Sequence, residues 1–367
     1  MSEALTEEAP LAAERILELL PDPVLVVRGA PADPAIAYAN AAARELFRME
    51  LVGAPVGAAL RHPAVLEAID HGGPAEVAFE TIGVQPRFWR AFLRPLGERE
   101  LTLVLRDETD ARRTERMRAD FLANASHELR TPLASLAGFV ETLQTHAKDD
   151  PGARDRFLAI MAEQAGRMSR LIDDLLSLSR IELNEHVPPS GEVDLAHVAG
   201  DVLDATRPLA VQRGVAVEFA AAPDLPRIAG DHDQLVQVAQ NLIDNALKYS
   251  ARGQAVSVCL EAAPTLEAAR APTREGGVAL SLLSPDAGEP AGYAVLRIAD
   301  RGRGIARQHL PRLAERFYRV EGQKSGGTGL GLAIVKHVVN RHRGGLVVES
   351  AEGEGTTFSV YLPAASA

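Results

Sequence analysis

Hydrophobic and polar positions divide the chain into three regions with different periodicities. Over roughly the first hundred residues, short apolar runs such as PVLVV, AEVAFET and ELTLVLRDET alternate with turn signals, which predicts a small mixed α/β fold with an antiparallel sheet. From Asp110 the period becomes helical, breaks at residues 148–152 and resumes from Ala153 to about Leu183, so this region is predicted to be a helical hairpin. The third region mixes strands and helices to the C-terminus.

These changes in pattern also predict the domain boundaries. We expect an N-terminal tail over residues 1–13, a sensor-type domain over 14–108, a signalling helix with the helical hairpin over 109–185, and an α/β domain over 186–367. Within the last domain, an Ala/Pro/Gly-rich stretch over about residues 262–292 predicts a solvated loop without a function of its own.

Apolar residues of the hairpin recur at three- and four-residue steps, which is the spacing of a helix seam. The first helix contributes Leu122, Ala125, Leu129, Leu133, Leu136, Val140 and Leu143, and the second contributes Met161, Ala165, Met168, Ile172 and Leu175. Two helices alone cannot bury both seams, so we expect a homodimer in which two chains form a four-helix bundle.

Composition and charge argue against several classes of protein. The chain has 367 residues, 46% of them hydrophobic, which is enough for two or three packed domains. Its single cysteine, Cys259, excludes an internal disulfide and a thiolate zinc cluster, and suits a reducing compartment. The net charge of −11, with dispersed Lys and Arg, argues against nucleic-acid binding.

No window approaches the roughly 20 apolar residues of a membrane span, and the acidic N-terminus is not a signal peptide. We therefore expect a soluble cytoplasmic protein without direct membrane insertion.

The most reactive group of the hairpin is His127, in the stretch FLANASHELRTPL. It lies two residues past the seam residue Ala125, about 200° around the helix, so it is expected to face outward. A lone outward histidine is ordinarily an inert surface or capping residue. Here Glu128 is adjacent and is expected to accept a hydrogen bond from one ring nitrogen, while Thr131 lies one turn on. Pro132 removes a helix hydrogen bond and bends the helix at this point.

The motif HELRTPL resembles the phosphoacceptor box of sensor histidine kinases of two-component systems. The resemblance implies that His127 is the phosphorylated residue and Glu128 its catalytic partner. It also implies that Thr131 serves in dephosphorylating a partner response regulator.

A second motif lies in DQLVQVAQNLIDNALKYS, residues 233–250, where one helical face is apolar and Asn241, Asn245 and Lys248 form a polar stripe. On its own, such a polar stripe also fits the solvent-exposed side of a helix without any function. Amides and a lysine suit a hydrated magnesium ion and triphosphate oxygens. The stripe resembles the asparagine box of the same family, which implies that Asn245 binds Mg²⁺, that Lys248 lies near phosphate and that Tyr249 lies against the nucleotide.

Two glycine-containing motifs follow. In YAVLRIADRGRGI an apolar strand ends in Asp300, followed by Gly302 and Gly304, which alone would fit a simple turn. The stretch resembles a motif of the same family in which the aspartate accepts a hydrogen bond from the adenine amine of ATP and the glycines let the backbone approach the base. The resemblance implies these roles for Asp300, Gly302 and Gly304. The later GGTGLGLAIVKHVV opens a helix with glycines and offers free backbone amides to phosphate. The resemblance implies a binding set here of Gly327, Thr328, Gly329, Leu330, Gly331 and Leu332.

Between these motifs, LAERFYRVEGQKSGG places Phe317 and Arg319 before a polar run that predicts a mobile lid over the nucleotide. The stretch is similar to the phenylalanine box and ATP lid of the family. The later turn GEGTT contains Thr356, which is expected either to be structural or to line the site.

Taken together, the motifs imply a multidomain α+β protein. Its expected parts are an N-terminal PAS-like α/β domain, a dimeric four-helix-bundle phosphoacceptor domain, and a C-terminal α/β sandwich of the type shared by gyrases, chaperones and histidine kinases. The N-terminal expectation comes from LLPDPVLVV and IAYANAAARELF, with Asn40 at the strand-to-helix turn. The overall resemblance is to phosphate-regulon sensor kinases. This chain departs from their usual pattern, because its sequence predicts no transmembrane helix.

The function implied is an ATP- and Mg²⁺-dependent kinase that phosphorylates His127, transfers the group to an aspartate of a response regulator and also dephosphorylates that regulator. The alternative is a phosphatase-biased or scaffold-type regulator that binds nucleotide without significant kinase activity. A chaperone-like or topoisomerase-like ATPase would share the nucleotide-binding half but would have no use for HELRTPL.

Overall fold

The structure is a computed structural model that describes residues 15–29, 34–81, 86–97, 99–145, 147–148, 150–273, 278–285, 290–320 and 327–365. The chain divides into two compact units, residues 1–122 and 123–367. No helix within the described ranges combines the length and the apolar character that a membrane crossing requires.

The first unit is built on a five-stranded antiparallel sheet. In chain order its elements are α1 (described over residues 15–18), β1 (Val24–Arg28), β2 (Ala35–Ala39), α2 (Ala41–Phe47), α3 (Val56–Ala59), α4 (Pro63–His71), β3 (Ala75–Glu80), β4 (Phe88–Gly97) and β5 (Glu100–Asp107). The strands lie in the order β2-β1-β5-β4-β3. The antiparallel sheet expected from the alternating pattern is therefore present.

The core of this unit follows from the two-residue period of its strands. In β4, Trp89, Ala91 and Leu93 point into the core, and the intervening residues are more exposed. Asn40 is fully buried at the turn from β2 to α2. Its Oδ1 accepts from the backbone N–H of Val24 at 2.9 Å and of Ala43 at 3.0 Å, so one amide joins a strand to a helix N-terminus.

The predicted helical hairpin consists of α5 (Thr109–Gln144) and α6 (Pro151–Leu183). Asp150 caps α6, because its side chain accepts from the N–H of Ala153 at 2.9 Å. Much of the apolar seam remains exposed in the single chain, including Leu133 at 57% and Ile172 at 43%. One hairpin therefore does not bury its own apolar surface.

The remainder of the second unit is a six-stranded sheet with helices. Its strand order is β10-β12-β13-β11-β9-β7, with β7 parallel to β9 and all other neighbours antiparallel. The elements are β6 (Glu192–Val193), α7 (Leu195–Arg213), β7 (Ala216–Ala221), β8 (Ile228–Ala229), α8 (His232–Tyr249), β9 (Ala255–Ala263), α9 (Leu266–Arg270), β10 (Val278–Leu283), β11 (Tyr293–Ala299), a 3₁₀ helix (Arg307–Arg312), α10 (Gly331–Arg341), β12 (Gly345–Ala351) and β13 (Gly355–Pro363). Helix α8 packs against α7, α10 and the sheet.

The prediction of a solvated loop over about residues 262–292 is wrong for most of this stretch. Its described part contains the end of β9, helix α9 and strand β10, which pairs with β12 along the edge of the sheet. Ala269 is fully buried and packs with Tyr293 and Tyr361. Helix α9 packs on the sheet against Tyr293 and Val295, which are alternate residues of β11 and so point to the same face. The high Ala, Pro and Gly content hid this packing, and residues 274–277 and 286–289 lie outside the described part.

Candidate functional site

The predicted phosphoacceptor side chain is presented on the outside of α5. His127 and Thr131 are exposed, as the helical pattern predicts. The Thr131 hydroxyl donates to the backbone carbonyl of His127 at 3.3 Å, across the turn where Pro132 interrupts the helix ladder. The threonine and the histidine therefore lie one above the other on one face of the helix.

Glu128 does not pair with the histidine ring as expected. Its Oε2 instead accepts from Nη2 of Arg167 on α6 at 3.2 Å, and both side chains are about one third exposed. Adjacent residues on a helix project about 100° apart, and in this structure the Glu128 side chain is turned towards the charged donor that Arg167 offers on α6. Glu128 thus joins the two helices of the hairpin beside the histidine.

A large cleft of about 670 Å³ lies within the second unit. Most of the predicted nucleotide-binding residues line it, namely Asn241, Asn245, Lys248, Tyr249, Asp300, Gly304, Arg319, Gly327, Thr328, Gly329, Gly331 and Leu332. Thr356 lines it as well. Residues separated by about 90 positions in the chain are therefore brought to one cavity of the size that small-molecule sites have.

Three predicted binding residues, Gly302, Phe317 and Leu330, are not part of the lining. Gly302 instead permits a close approach, since a Cβ there would lie 2.3 Å from the carbonyl oxygen of Tyr249. Phe317 adopts a left-handed backbone with φ of 62°, and its N–H donates to the carbonyl of Gly329 at 2.9 Å. Leu330 is fully buried at the start of α10. These three residues shape the cleft rather than face it.

The aspartate at the end of β11 is held by backbone amides. Asp300 is 6% exposed, and its Oδ1 accepts from Gly302 N at 2.8 Å and from Thr356 N at 3.3 Å. A buried carboxylate that accepts two backbone N–H bonds is fixed in position. Because the carboxyl group also lines the cleft, it offers a fixed acceptor to a ligand amine.

Three glycines at and just before the start of α10 allow close packing around the cleft. Gly329 has a φ of 75°, and a Cβ there would come within 2.8 Å of the backbone of Phe317. A Cβ at Gly327 would lie 2.7 Å from Nζ of Lys248, and one at Gly331 would lie 3.0 Å from Oδ1 of Asn241. Side chains at these positions would crowd the lysine and the amide of the polar stripe.

The donor set fits a nucleotide with a magnesium ion. Among the described residues, the Asn241 amide nitrogen is buried without a hydrogen-bond partner, and this residue lines the cleft. A buried unpaired donor is costly, and this nitrogen is available to an oxygen of a bound ligand. Asn245 supplies an amide oxygen of the kind that Mg²⁺ accepts, and Lys248 supplies a cation for phosphate. Residues 321–326, within the predicted lid, lie outside the described residues.

One wall of the cleft comes from α6 and was not predicted from the sequence. Arg167, Arg170, Asp173 and Asp174 all line it. Arg167, Arg170 and Asp174 are three and four residues apart, so they share one helical face. That spacing was readable in the sequence, but only the folded chain places this face against the nucleotide cleft.

Hydrogen bonds attach this wall to the glycine motif. The hydroxyl of Thr328 donates to Oδ2 of Asp174 at 2.7 Å. Burial raises the pKa of the Asp174 carboxyl above its usual value, although the bond from Thr328 opposes that shift. Further along α6, Glu182 pairs with Arg316 at 2.6 Å. The helical hairpin and the nucleotide cleft therefore meet in one packed arrangement.

The helical hairpin that carries His127 and the α/β part that contains the cleft each match a known family. Residues 117–184 match the His Kinase A (phospho-acceptor) domain. Residues 230–366 match the histidine kinase-, DNA gyrase B-, and HSP90-like ATPase family. The chain belongs to the sensor histidine kinases.

Curated relatives extend over most of the chain. It is 34% identical over 314 residues to the phosphate regulon sensor protein PhoR of Pseudomonas aeruginosa, covering 84% of this chain and 65% of that protein. It is 34% identical over 260 residues to the sensor-like histidine kinase SenX3 of Mycolicibacterium smegmatis, covering 70% and 60%. A solved structure of the histidine kinase AdeS of Acinetobacter baumannii is 24% identical with a TM-score of 0.46, covering 65% of this chain and 98% of that one. The chain thus spans less than two thirds of these two curated relatives.

Proposed function

We propose that the protein is an ATP-dependent protein-histidine kinase of a two-component system. The observation that carries this proposal is the shared geometry of the second unit. The cleft formed by α8, β11 and the glycine motif has α6 as one wall, and α6 is joined through Arg167 to Glu128, the neighbour of the exposed His127. A nucleotide site and a nucleophile thus belong to one packed arrangement.

In the proposed reaction His127 is the nucleophile. A lone pair on a ring nitrogen forms the new bond to the γ-phosphorus of ATP, the bond from that phosphorus to the β,γ-bridging oxygen breaks, and ADP leaves with its electron pair. Glu128 receives the proton that the other ring nitrogen gives up. The exposure of His127 supports this role, since the histidine must meet first the nucleotide and then a partner protein.

The cleft residues bind and orient the nucleotide in this proposal. Asp300 accepts from the adenine amine, Tyr249 lies against the base, and Lys248 together with the backbone at Gly327 and Gly329 holds phosphate. Asn245 holds Mg²⁺, which when bound supplies charge neutralisation on the triphosphate. The remaining predicted binding residues of the cleft are Asn241, Gly304, Arg319, Thr328, Gly331 and Leu332.

The proposed acceptor of the phosphoryl group is an aspartate in the receiver domain of a response regulator. The hydroxyl of Thr131 is proposed to orient the water that hydrolyses the phosphoaspartate. Thr131 lies one helical turn from His127 on the same exposed face of α5, and this position supports the second activity.

We propose that two chains assemble into a homodimer through the hairpins. Large apolar side chains that are 41–57% exposed in the single chain, such as Leu133, Val140 and Ile172, support this assembly. A four-helix bundle covers such residues while leaving the polar face of α5 accessible.

The N-terminal unit is proposed to be a PAS-like sensor domain. A five-stranded antiparallel sheet with the order β2-β1-β5-β4-β3, flanked by short helices, supports this assignment. The domain bounds proposed are 14–108 for the sensor, 109–185 for the hairpin and 186–367 for the catalytic domain.

The test is incubation of the full chain with Mg²⁺ and γ-labelled ATP. A label on the protein that is lost in acid and retained in base is expected, because a phosphohistidine behaves in this way and phosphoserine does not. A chain that binds ATP without acquiring this label contradicts the proposal and favours the scaffold-type regulator.

A further inference from the structure

Arg167 occupies a position between the two parts of the proposed active site. It lies on α6, its Nη2 donates to Oε2 of Glu128 at 3.2 Å, and its side chain also lines the nucleotide cleft. Glu128 is adjacent to His127 in the chain. One guanidinium group is therefore within reach of both the residue beside the phosphoacceptor and the cavity that holds the nucleotide.

Two other cations that line the cleft, Lys248 and Arg170, have different surroundings from Arg167. The ammonium group of Lys248 makes a cation–π contact with Tyr249, with Nζ 4.9 Å from the centre of the ring. Arg170 lies close enough to the partly buried Asp174 for its charge to act on that carboxyl group. Arg167 makes a direct ion pair with Glu128, and these two side chains are 33% and 34% exposed. Ion pairs of this exposure contribute about 0–1 kcal/mol, so a stronger ligand readily displaces the carboxylate.

A triphosphate is such a ligand. Arginine binds phosphate oxygens through two parallel N–H donors, and these charge-assisted bonds are stronger than a single hydrogen bond to an exposed carboxylate. Phosphoryl transfer also spreads charge over the oxygens of the moving group, which an arginine in contact with them stabilises.

We propose that Arg167 is a switch residue that couples nucleotide occupancy to the activation of His127. This inference rests on the proposed kinase function. Without nucleotide, the guanidinium holds Glu128. When ATP enters the cleft, Arg167 exchanges Glu128 for oxygens of the γ-phosphoryl group and so releases the carboxylate to serve the histidine.

The exchange places each group where the transfer needs it. The His127 ring nitrogen forms the bond to phosphorus, the bond to the bridging oxygen breaks with its electron pair leaving on ADP, and the second ring nitrogen loses its proton to the freed Glu128. Arg167 neither gains nor loses a proton in this sequence, because it acts only through its charge and its donors.

The plainer account is that Arg167 only fastens α6 to α5. The two possibilities predict different nucleotide affinities. A residue that only holds the two helices together does not distinguish ATP from ADP, because it makes no contact with the γ-phosphate. An arginine that binds the γ-phosphoryl group raises the affinity for a nonhydrolysable ATP analogue without changing the affinity for ADP.

The experiment compares Arg167→Gln, Arg167→Lys and wild type in the full chain. Arg156→Gln is the matched control, because Arg156 is an exposed arginine on the same helix and does not line the cleft. Three quantities are measured, namely the affinity for ADP, the affinity for the nonhydrolysable ATP analogue, and the rate of labelling from γ-labelled ATP at saturation.

For Arg167→Gln we expect an ADP affinity within about two-fold of wild type, an analogue affinity several-fold weaker, and a labelling rate lower by about 10²-fold or more. Arg167→Lys is expected to recover part of the analogue affinity and of the labelling rate. Lysine keeps the positive charge but lacks the two parallel N–H donors of the guanidinium group. The control is expected to match wild type in all three measurements.

Two results overturn the inference while leaving the kinase function intact. One is a labelling rate for Arg167→Gln within about two-fold of wild type. The other is a parallel loss of ADP and analogue affinity, which is the signature of a structural role. Absence of any label on the wild-type chain overturns the proposed kinase function itself, and this inference with it.

Discussion

The two glycines that precede α10 allow a sharp test of the cleft architecture, because they differ in what a single methyl group would meet. At Gly329 the backbone has a φ of 75°, and an added Cβ would lie 2.8 Å from the Cα and carbonyl carbon of Phe317. At Gly327 the nearest atom is Nζ of Lys248 at 2.7 Å, the far end of a flexible side chain. The same substitution by alanine therefore meets rigid backbone at one position and a movable group at the other.

The expected cost of Gly329→Ala has two parts. A side chain in the left-handed region costs about 1–2 kcal/mol. Backbone movement to relieve the contact also weakens the 2.9 Å hydrogen bond from Phe317 N to Gly329 O, which contributes about 0.5–1.5 kcal/mol. The sum is about 1.5–3.5 kcal/mol, and a loss of about 2 kcal/mol lies in the lower half of this range. Gly327→Ala is expected to stay within about 0.5 kcal/mol, because Lys248 can rotate away.

Hydrogen exchange of the full chain measures this difference locally. The amides of α10, residues 331–341, report the opening of the element that both glycines precede. A loss of about 2 kcal/mol corresponds to exchange about 30-fold faster, expected for Gly329→Ala and not for Gly327→Ala. Equal protection in the two variants, or a larger loss in Gly327→Ala, would refute the argument from backbone geometry.

Three further substitutions separate the roles proposed for the site. Asn245→Ala removes the amide oxygen proposed for Mg²⁺, so isothermal titration is expected to lose magnesium-dependent ATP binding, and unchanged Mg·ATP affinity contradicts that role. Asp300→Asn keeps an oxygen for the amides of Gly302 and Thr356 but presents an amino group to adenine. The preference for ATP over GTP in competition binding is therefore expected to fall, and an unchanged preference counts against the assignment. Thr131→Ala is expected to keep autophosphorylation within a few-fold and to slow regulator dephosphorylation by about 10²-fold, whereas equal losses in the two rates, measured side by side, contradict a separate role for the hydroxyl.

Periodicity and local motifs were sufficient for the features that depend on neighbouring residues. The helical hairpin, the outward position of His127 and the polar stripe of α8 all follow from the three- and four-residue spacing of one helix. The glycine motifs were equally readable, since Gly304 and Gly329 adopt the positive φ values that favour glycine.

Features that depend on distant parts of the chain were not predictable in this way. The pairing of Glu128 with Arg167 joins residues 39 positions apart, and the bond between Thr328 and Asp174 joins residues 154 positions apart. Neither partner carries a local signal for the other. Strand β10 was not predicted, because it is short and lies between stretches rich in Gly and Pro. Such a composition is typical of loops.

The central claim is that His127 receives the phosphoryl group of ATP bound in the cleft. The most direct measurement is the labelling of wild type and His127→Gln with γ-labelled ATP, with nucleotide affinity determined for both. We expect an acid-labile, base-stable label on wild type and none on the variant, with almost unchanged ATP affinity, since His127 does not line the cleft. A His127→Gln variant that acquires the label at a rate comparable to wild type would contradict the assignment of the nucleophile.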